Sequence, residues 1–152
     1  AVSLARLNPL AEVSAVDISL SALTVAEKNA KKNDVSVSFS RLDILNEDIT
    51  GKFDLIVSNP PYIKDSVIPT LDETVKNFEP RLALSGGEDG LIFYREITKK
   101  ALGALDQGGL LMFEIGFDQG EAVPEIMAGS YKNIKIIKDL AGCDRVVTGE
   151  KK

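Results

Sequence analysis

Phe53-Asp54-Leu55-Ile56-Val57-Ser58-Asn59-Pro60-Pro61-Tyr62 is an apolar run that stops on two prolines. Aromatic and β-branched residues favour a pleated, buried backbone, and neither proline can donate to a ladder. The stretch therefore predicts a short buried strand over residues 53–57, closed by a rigid turn. Open α/β sheets bind their ligands beyond the carboxyl ends of their strands. That places Asn59 to Tyr62 where a functional site belongs.

The chemistry of these four residues is specific. Prolines fix φ and carry no N–H, so Pro60 and Pro61 present carbonyl acceptors without competing donors. The Asn59 carboxamide offers one acceptor and one donor group, matching the two ends of a substrate amide, and Tyr62 can wall off a planar group. An amide nitrogen is a poor nucleophile because its lone pair is delocalised, so a catalyst must orient it and accept its hydrogens. The set fits methylation of an amide or amine nitrogen. The plainer alternative is a Pro-Pro turn that merely ends a strand.

Outward from this point, strand-length apolar runs alternate with longer amphipathic segments, the pattern of an α/β fold with a mostly parallel sheet. Strands are predicted over 13–18, 35–42, 53–57, 110–115, 134–140 and 145–148. The last two are close enough for an antiparallel hairpin. A helix capped by Ser19 and running to about Asn33 has Leu20, Leu23, Ala26 and Ala30 on one face, with Lys31 and Lys32 at its negative end. The best helix spans 91–105, with Tyr94, Ile97, Ala101 and Leu105 on one stripe and Gly108-Gly109 as its stop. A further helix over 118–128 contains Pro124, and residues 63–88 read as a long loop with at most short helices.

Composition narrows the function classes. The 152 residues suit one domain, without an apolar run able to span a bilayer or a signal peptide. The chain has no histidine and one cysteine, Cys143, which argues against zinc sites and histidine-based catalysis. Cys143 reads as a small packed residue. A net charge of −5 argues against a nucleic-acid partner. Phe93, Tyr94 and Phe113 read as core and Glu114 as a structural acid.

Asn59-Pro60-Pro61-Tyr62 is the signature of methyltransferases acting on planar exocyclic nitrogens. The stretches Phe78-Glu79-Pro80-Arg81, Ala83-Leu84, Gly86-Gly87, Asp89-Gly90-Leu91, Tyr94-Arg95, Gly108-Gly109, Glu114-Ile115-Gly116 with Gln119, and Asp144-Arg145-Val146-Val147 follow it. Together they resemble the release-factor-modifying (HemK/PrmC-like) glutamine methyltransferase family over almost the whole chain.

The resemblance implies a Rossmann-like class I methyltransferase sandwich with an antiparallel last strand, S-adenosyl-L-methionine as cofactor, and the Gly-Gly-Gln loop of a peptide-chain release factor as substrate. It implies catalytic roles for Asn59, Pro60 and Tyr62, and substrate contacts from Asn59, Pro60, Pro61, Tyr62 and Glu79, which could also brace Arg81. Cofactor contacts are implied for Asp17, whose carboxylate suits a vicinal diol, for Asp43, at the position that reads the adenine amine, and for Asn59. Outside the resemblance, Asp17 is an ordinary acid ahead of a helix and Asp43 a turn residue. The implied domain covers 1–152, is cytoplasmic and metal-free, and is incomplete at its N-terminus. Ala1 to Leu7 resembles the helix that follows the family's glycine-rich loop, so the first strand, expected between strands 13–18 and 53–57, and a separate helical domain are expected outside this chain. Two other readings stay open, an amino-methyltransferase of adenine or cytosine and a non-catalytic binding module.

Overall fold

The alternation read from the sequence is realised in a computed structural model that describes residues 1–74 and 79–152. Two units can be distinguished, Ala1–Glu47 and Asp48–Lys152; Phe78 of the motif run lies outside the described residues.

In the first unit, α1 (Val2–Leu7) precedes β1 (Ser14–Asp17), α2 (Leu20–Lys32) and β2 (Ser38–Arg41). The two strands pair in parallel, from Ser14 opposite Ser38 to Asp17 opposite Arg41. Ser19 adopts an extended backbone and its hydroxyl accepts from the Ala22 N–H at 3.2 Å. Such a cap contributes about 1 kcal/mol. Leu23 and Ala30 are buried as expected, but Leu20, in the first turn, is 67% exposed. The second strand is shorter than the predicted 35–42, because Asp34 turns at φ 52 and the Val35 N–H is held by the Ala30 carbonyl at the end of α2.

The second unit carries β3 (Phe53–Ser58), α3 (Arg81–Leu84), α4 (Ile92–Ala104), β4 (Leu105–Glu114), α5 (Ala122–Ala128), β5 (Tyr131–Lys138) and β6 (Asp144–Lys151). The sheet order is β3-β4-β6-β5. β3 and β4 run parallel, whereas β6 is antiparallel to both β4 and β5. The predicted closing hairpin is present, and its last strand is inserted between its two neighbours. Among its described residues, the predicted long loop between β3 and α4 includes a 3-10 turn (Ile68–Thr70) and the four-residue α3.

The core follows the predicted stripe. Tyr94, Ile97, Ala101 and Leu105 are all buried, against Leu111, Phe113 and Ile115 of β4 and its extension. Tyr94 meets Phe113 edge to face, with centroids 5.1 Å apart. Each large side chain buried in this way contributes roughly 1.5–3 kcal/mol. Phe93 is only half-buried.

Three further expectations are corrected. Gly108-Gly109 does not stop α4: the helix ends at Ala104, Leu105 already pairs with Phe53, and the glycines lie where the β3–β4 register shifts before Leu55 pairs with Leu110. The helix predicted over 118–128 begins only at Ala122, with Pro124 in its first turn, where a missing N–H costs nothing. Cys143 is exposed, not packed.

The terminal lysines are tied down. Lys151 Nζ donates to the Leu102 and Leu105 carbonyls at 2.7 Å, and Lys152 Nζ donates to those of Ala128 and Gly129. Each cation neutralises the negative end of a helix, α4 or α5. No helix among the described residues is long and apolar enough to cross a membrane.

Burial pushes the Tyr131 phenol up to about 12, and the phenol donates to the Thr98 carbonyl at 3.0 Å. The folded chain therefore keeps this proton to higher pH than the unfolded chain does. Stability should be insensitive to this group below pH 10.0 and fall as the pH rises from there toward about 12. Urea unfolding at stepped alkaline pH, read with phenolate absorbance, measures the effect. Tyr131→Phe should flatten that part of the profile, and an unchanged slope would refute the assignment.

Candidate functional site

β3 delivers Asn59-Pro60-Pro61-Tyr62 to its carboxyl end, beside the end of β4, where Ser58 still pairs with Phe113. The Asn59 side chain is exposed and makes no hydrogen bond to a described residue, while Pro60 is buried and Pro61 and Tyr62 are half-buried. The carboxamide thus projects outward from a proline-stiffened backbone.

The chain downstream of the motif is laced back onto it. The Ile63 N–H donates to the Leu84 carbonyl at 3.0 Å, the Gly86 N–H to Ile63 at 2.9 Å, and the Asp65 N–H to Gly87 at 3.0 Å. Ser85 Oγ donates to Asp65 Oδ1 at 2.7 Å, and Arg81 pairs with the same carboxylate at 3.5 Å. Arg81 is therefore braced by Asp65. Glu79, expected as a possible brace, is exposed and makes no ion pair with a described residue.

Two glycines permit this approach. A β-carbon on Gly86 would lie 2.8 Å from Tyr62 Cα, and one on Gly90 would lie 2.5 Å from the Tyr62 carbonyl oxygen. Gly90 also sits at φ +78, in the left-handed region.

The residue that joins these parts is Gln119, which is 4% exposed. Its Nε2 donates to the Tyr62 carbonyl at 3.2 Å and to the Gly90 carbonyl at 3.1 Å. Its Oε1 accepts from the Gly116 N–H at 2.9 Å, and the single Tyr94 O–H proton is shared between Oε1 at 3.2 Å and the Glu114 carbonyl at 3.0 Å. Burial pushes the Tyr94 phenol well above its ordinary value, with Tyr62, Glu114 and Asp118 adding to the effect. The hydroxyl is therefore a neutral donor throughout the neutral range. Glu114 is half-buried and serves this network through its backbone. Arg145, paired with Asp139 at 3.2 Å, donates to the Ile115 carbonyl at 3.0 Å and fixes the end of β4.

An open groove of about 640 Å³ is lined by Lys64, Gly87, Glu88, Asp89, Ile92 and Arg95, and none of the sequence-predicted site residues lines it. Asp89 and Arg95 bridge within it at 2.5 Å, and that guanidinium hydrogen bond holds the Asp89 carboxyl below its usual range.

Asp17 and Asp43 belong to the first unit, at the carboxyl ends of the paired strands β1 and β2. Asp17 is exposed, and its Oδ1 accepts from the Ser19 N–H at 2.8 Å. A cleft of about 320 Å³ opens beside it, lined among others by Val16, Leu23 and Phe39. Asp43 accepts from the Leu45 N–H at 3.1 Å and from Asn46 Nδ2 at 2.9 Å, and the Asn46 hydrogen bond is the main cause of its lowered pKa. Its turn-residue role is thus realised, and both oxygens already have a partner.

The family model for the methyltransferase small domain matches residues 1–88. A release factor glutamine methyltransferase of Moorella thermoacetica is 45% identical over 95% of this chain and 52% of its own length. One from Caulobacter vibrioides is 44% identical over 95% of this chain and 51% of its own. The chain spans about half the length of the curated relatives it matches. Among solved structures, a methyltransferase from Pyrococcus furiosus superposes with a TM-score of 0.69 at 18% identity, over 98% of this chain and 67% of that one. The N-methyltransferase NodS from Bradyrhizobium japonicum, in complex with S-adenosyl-L-homocysteine, gives 0.56 at 16% identity, over 92% and 66%. These likenesses carry the fold, and the α/β architecture expected from the sequence is borne out.

Gly90→Ala combines a strained φ with a clash against a backbone oxygen. It should destabilise the chain by about 2 kcal/mol or more. Gly103→Ala, within α4 and open on all sides, should instead stabilise by about 0.5–1 kcal/mol. Urea midpoints of the two variants decide the matter, and a neutral Gly90→Ala would contradict the packing described.

Proposed function

Because the chain belongs to the methyltransferase small domain family, we propose that the protein carrying it methylates the side-chain amide of a glutamine in the Gly-Gly-Gln loop of a peptide-chain release factor. The observation that carries this reading is the exposed Asn59 carboxamide on a proline-stiffened loop at the end of β3, in a chain whose curated relatives are named for that reaction.

S-adenosyl-L-methionine, the cofactor of the reading, supplies an electrophilic methyl group on a sulfonium centre. The residues present fit it in one respect: Asp17 keeps Oδ2 free of any partner among the described residues, leaving acceptors for a ribose diol. Asp17 would hold the ribose and Asp43 the adenine amine, the latter through lone pairs left over from its turn. Asn59 is the third cofactor contact of this reading.

The remaining work belongs to the motif. Asn59 Oδ1 accepts one hydrogen of the substrate amide and Nδ2 donates to its oxygen, while the Pro60 carbonyl accepts the second hydrogen. Tyr62 covers the planar group, Pro61 stiffens the loop, and Glu79 contacts the chain around the substrate glutamine. Orientation and hydrogen bonding supply the catalysis, without a covalent enzyme intermediate, and the one proton the methylated nitrogen gives up leaves to solvent. In this reading residues 1–152 form one catalytic domain, and the release-factor substrate sets its location as the cytoplasm. The net charge of −5 counts against a nucleic-acid substrate.

Methyl-labelled cofactor offered with release factor or with nucleic acid should label the release factor at glutamine; label entering only nucleic acid would overturn the reading. Asn59→Ala should lower kcat by about 100-fold, the typical cost of one hydrogen bond formed mainly in the transition state. The Kd for S-adenosylmethionine, measured by titration calorimetry, should stay within about twofold if the contact is spent on the transition state. A normal kcat would remove Asn59 from the mechanism.

A further inference from the structure

We propose that Gln119 is the positioning residue of the Asn59–Tyr62 loop: its buried carboxamide fixes the Tyr62 carbonyl and thereby sets the pose of the groups that face the substrate. The inference rests on the functional reading above for its catalytic consequence, but its structural part stands on the hydrogen bonds alone.

The loop has two ends and little freedom between them. Its first end is the β3–β4 ladder, where Ser58 pairs with Phe113. Pro60 and Pro61 then remove two φ torsions. Its second end is the Tyr62 carbonyl, which points inward to Gln119 Nε2 instead of outward to solvent. With both ends fixed, few torsions remain to orient the Asn59 carboxamide and the Pro60 carbonyl. Releasing the second end returns the freedom that the prolines were placed to remove.

Gln119 is suited to this task by chemistry as well as by place. A primary carboxamide has two N–H donors and an oxygen with two lone pairs. Both donors are spent on carbonyls, those of Tyr62 and Gly90, and the oxygen faces two donors, Gly116 N–H and Tyr94 O–H. No other neutral side chain of this length presents both functions. Gln119 also shares Nε2 between the motif and the Gly90 turn, so one group holds the two segments together at sequence separations of 57 and 29. Ile63, Asp65 and Gly86 then extend the same contact through their own N–H bonds.

Gln119→Glu separates positioning from bulk packing. It keeps the shape and the acceptor side facing Gly116 and Tyr94, but sets one carboxylate oxygen against two carbonyls. In the whole protein carrying this chain, assayed with S-adenosylmethionine and release factor, kcat should fall by about 10- to 100-fold, the scale set by misplacing reacting groups by an ångström. The KM values for both substrates should move by no more than about threefold, because binding that is equal in ground and transition states is not what the loop supplies.

Hydrogen–deuterium exchange gives a second readout that does not depend on turnover. The Ile63, Asp65 and Gly86 amides should exchange at least about 10-fold faster in the variant, while those of Leu111 and Val147 keep their protection, which marks local rather than global opening. An unchanged kcat in an active enzyme overturns the positioning role, and so does wild-type exchange at these three amides. If the wild type transfers no methyl group to release factor, the functional reading fails by itself and the exchange comparison still decides whether Gln119 fixes the loop. Should Gln119→Glu not fold, Gln119→Met keeps the length without the charge, and the same outcomes apply.

Discussion

A buried carboxamide can be tolerated only when all its hydrogen-bonding positions are filled, since each one left empty costs about 1–3 kcal/mol. Gln119 meets that condition by reaching three chain segments at once: the end of the proline motif, the glycine turn at residue 90, and the turn after β4. Much of the second unit is arranged to make those partners available. Tyr94 is buried against Phe113 so that its hydroxyl arrives beside Oε1. Gly86 and Gly90 lack side chains where any β-carbon would strike Tyr62. The constraint thus runs from one polar group into the packing of α4, the composition of a loop and the end of a strand.

The first unit works on a different principle. Its strands are short, its sheet has two members, and its acids sit at the carboxyl edge with most of their hydrogen bonds made locally, to Ser19, Leu45 and Asn46. Asp17 is held by the same turn that caps α2, so helix initiation and carboxylate orientation are one structural event. In the second unit, orientation comes instead from long-range contacts.

Periodicity explains how much of this was legible in advance. The α4 stripe, the Ser19 cap and the short strand before Asn59 follow from local rules of spacing and backbone chemistry, and each stands where the sequence put it. Gly108-Gly109 misled because a glycine pair marks a break without saying which element is broken, and ladder pairing by Leu105 decided that it lay within a strand. Asp43 was readable both as a turn residue and as a ligand, and the first is what its local bonds realise. Gln119 stood among the matched residues, but a glutamine in a polar turn gives no sign of burial, and its partners lie far along the chain. Lys151 and Lys152 close two helices through partners just as distant in the chain, which local spacing does not reveal.

The insertion of β6 between β4 and β5 has a consequence for the order of events during synthesis. Among the described residues β5 pairs with β6 alone, so when the ribosome has made residues as far as Lys138 that strand lacks this partner, and β4 carries an open edge. Such edges recruit strands from other chains. The nascent polypeptide therefore passes through a window of vulnerability that shuts only when Asp144 to Lys151 is free to pair, and Lys151 with the following Lys152 then ties the end of that strand to the carboxyl ends of two helices.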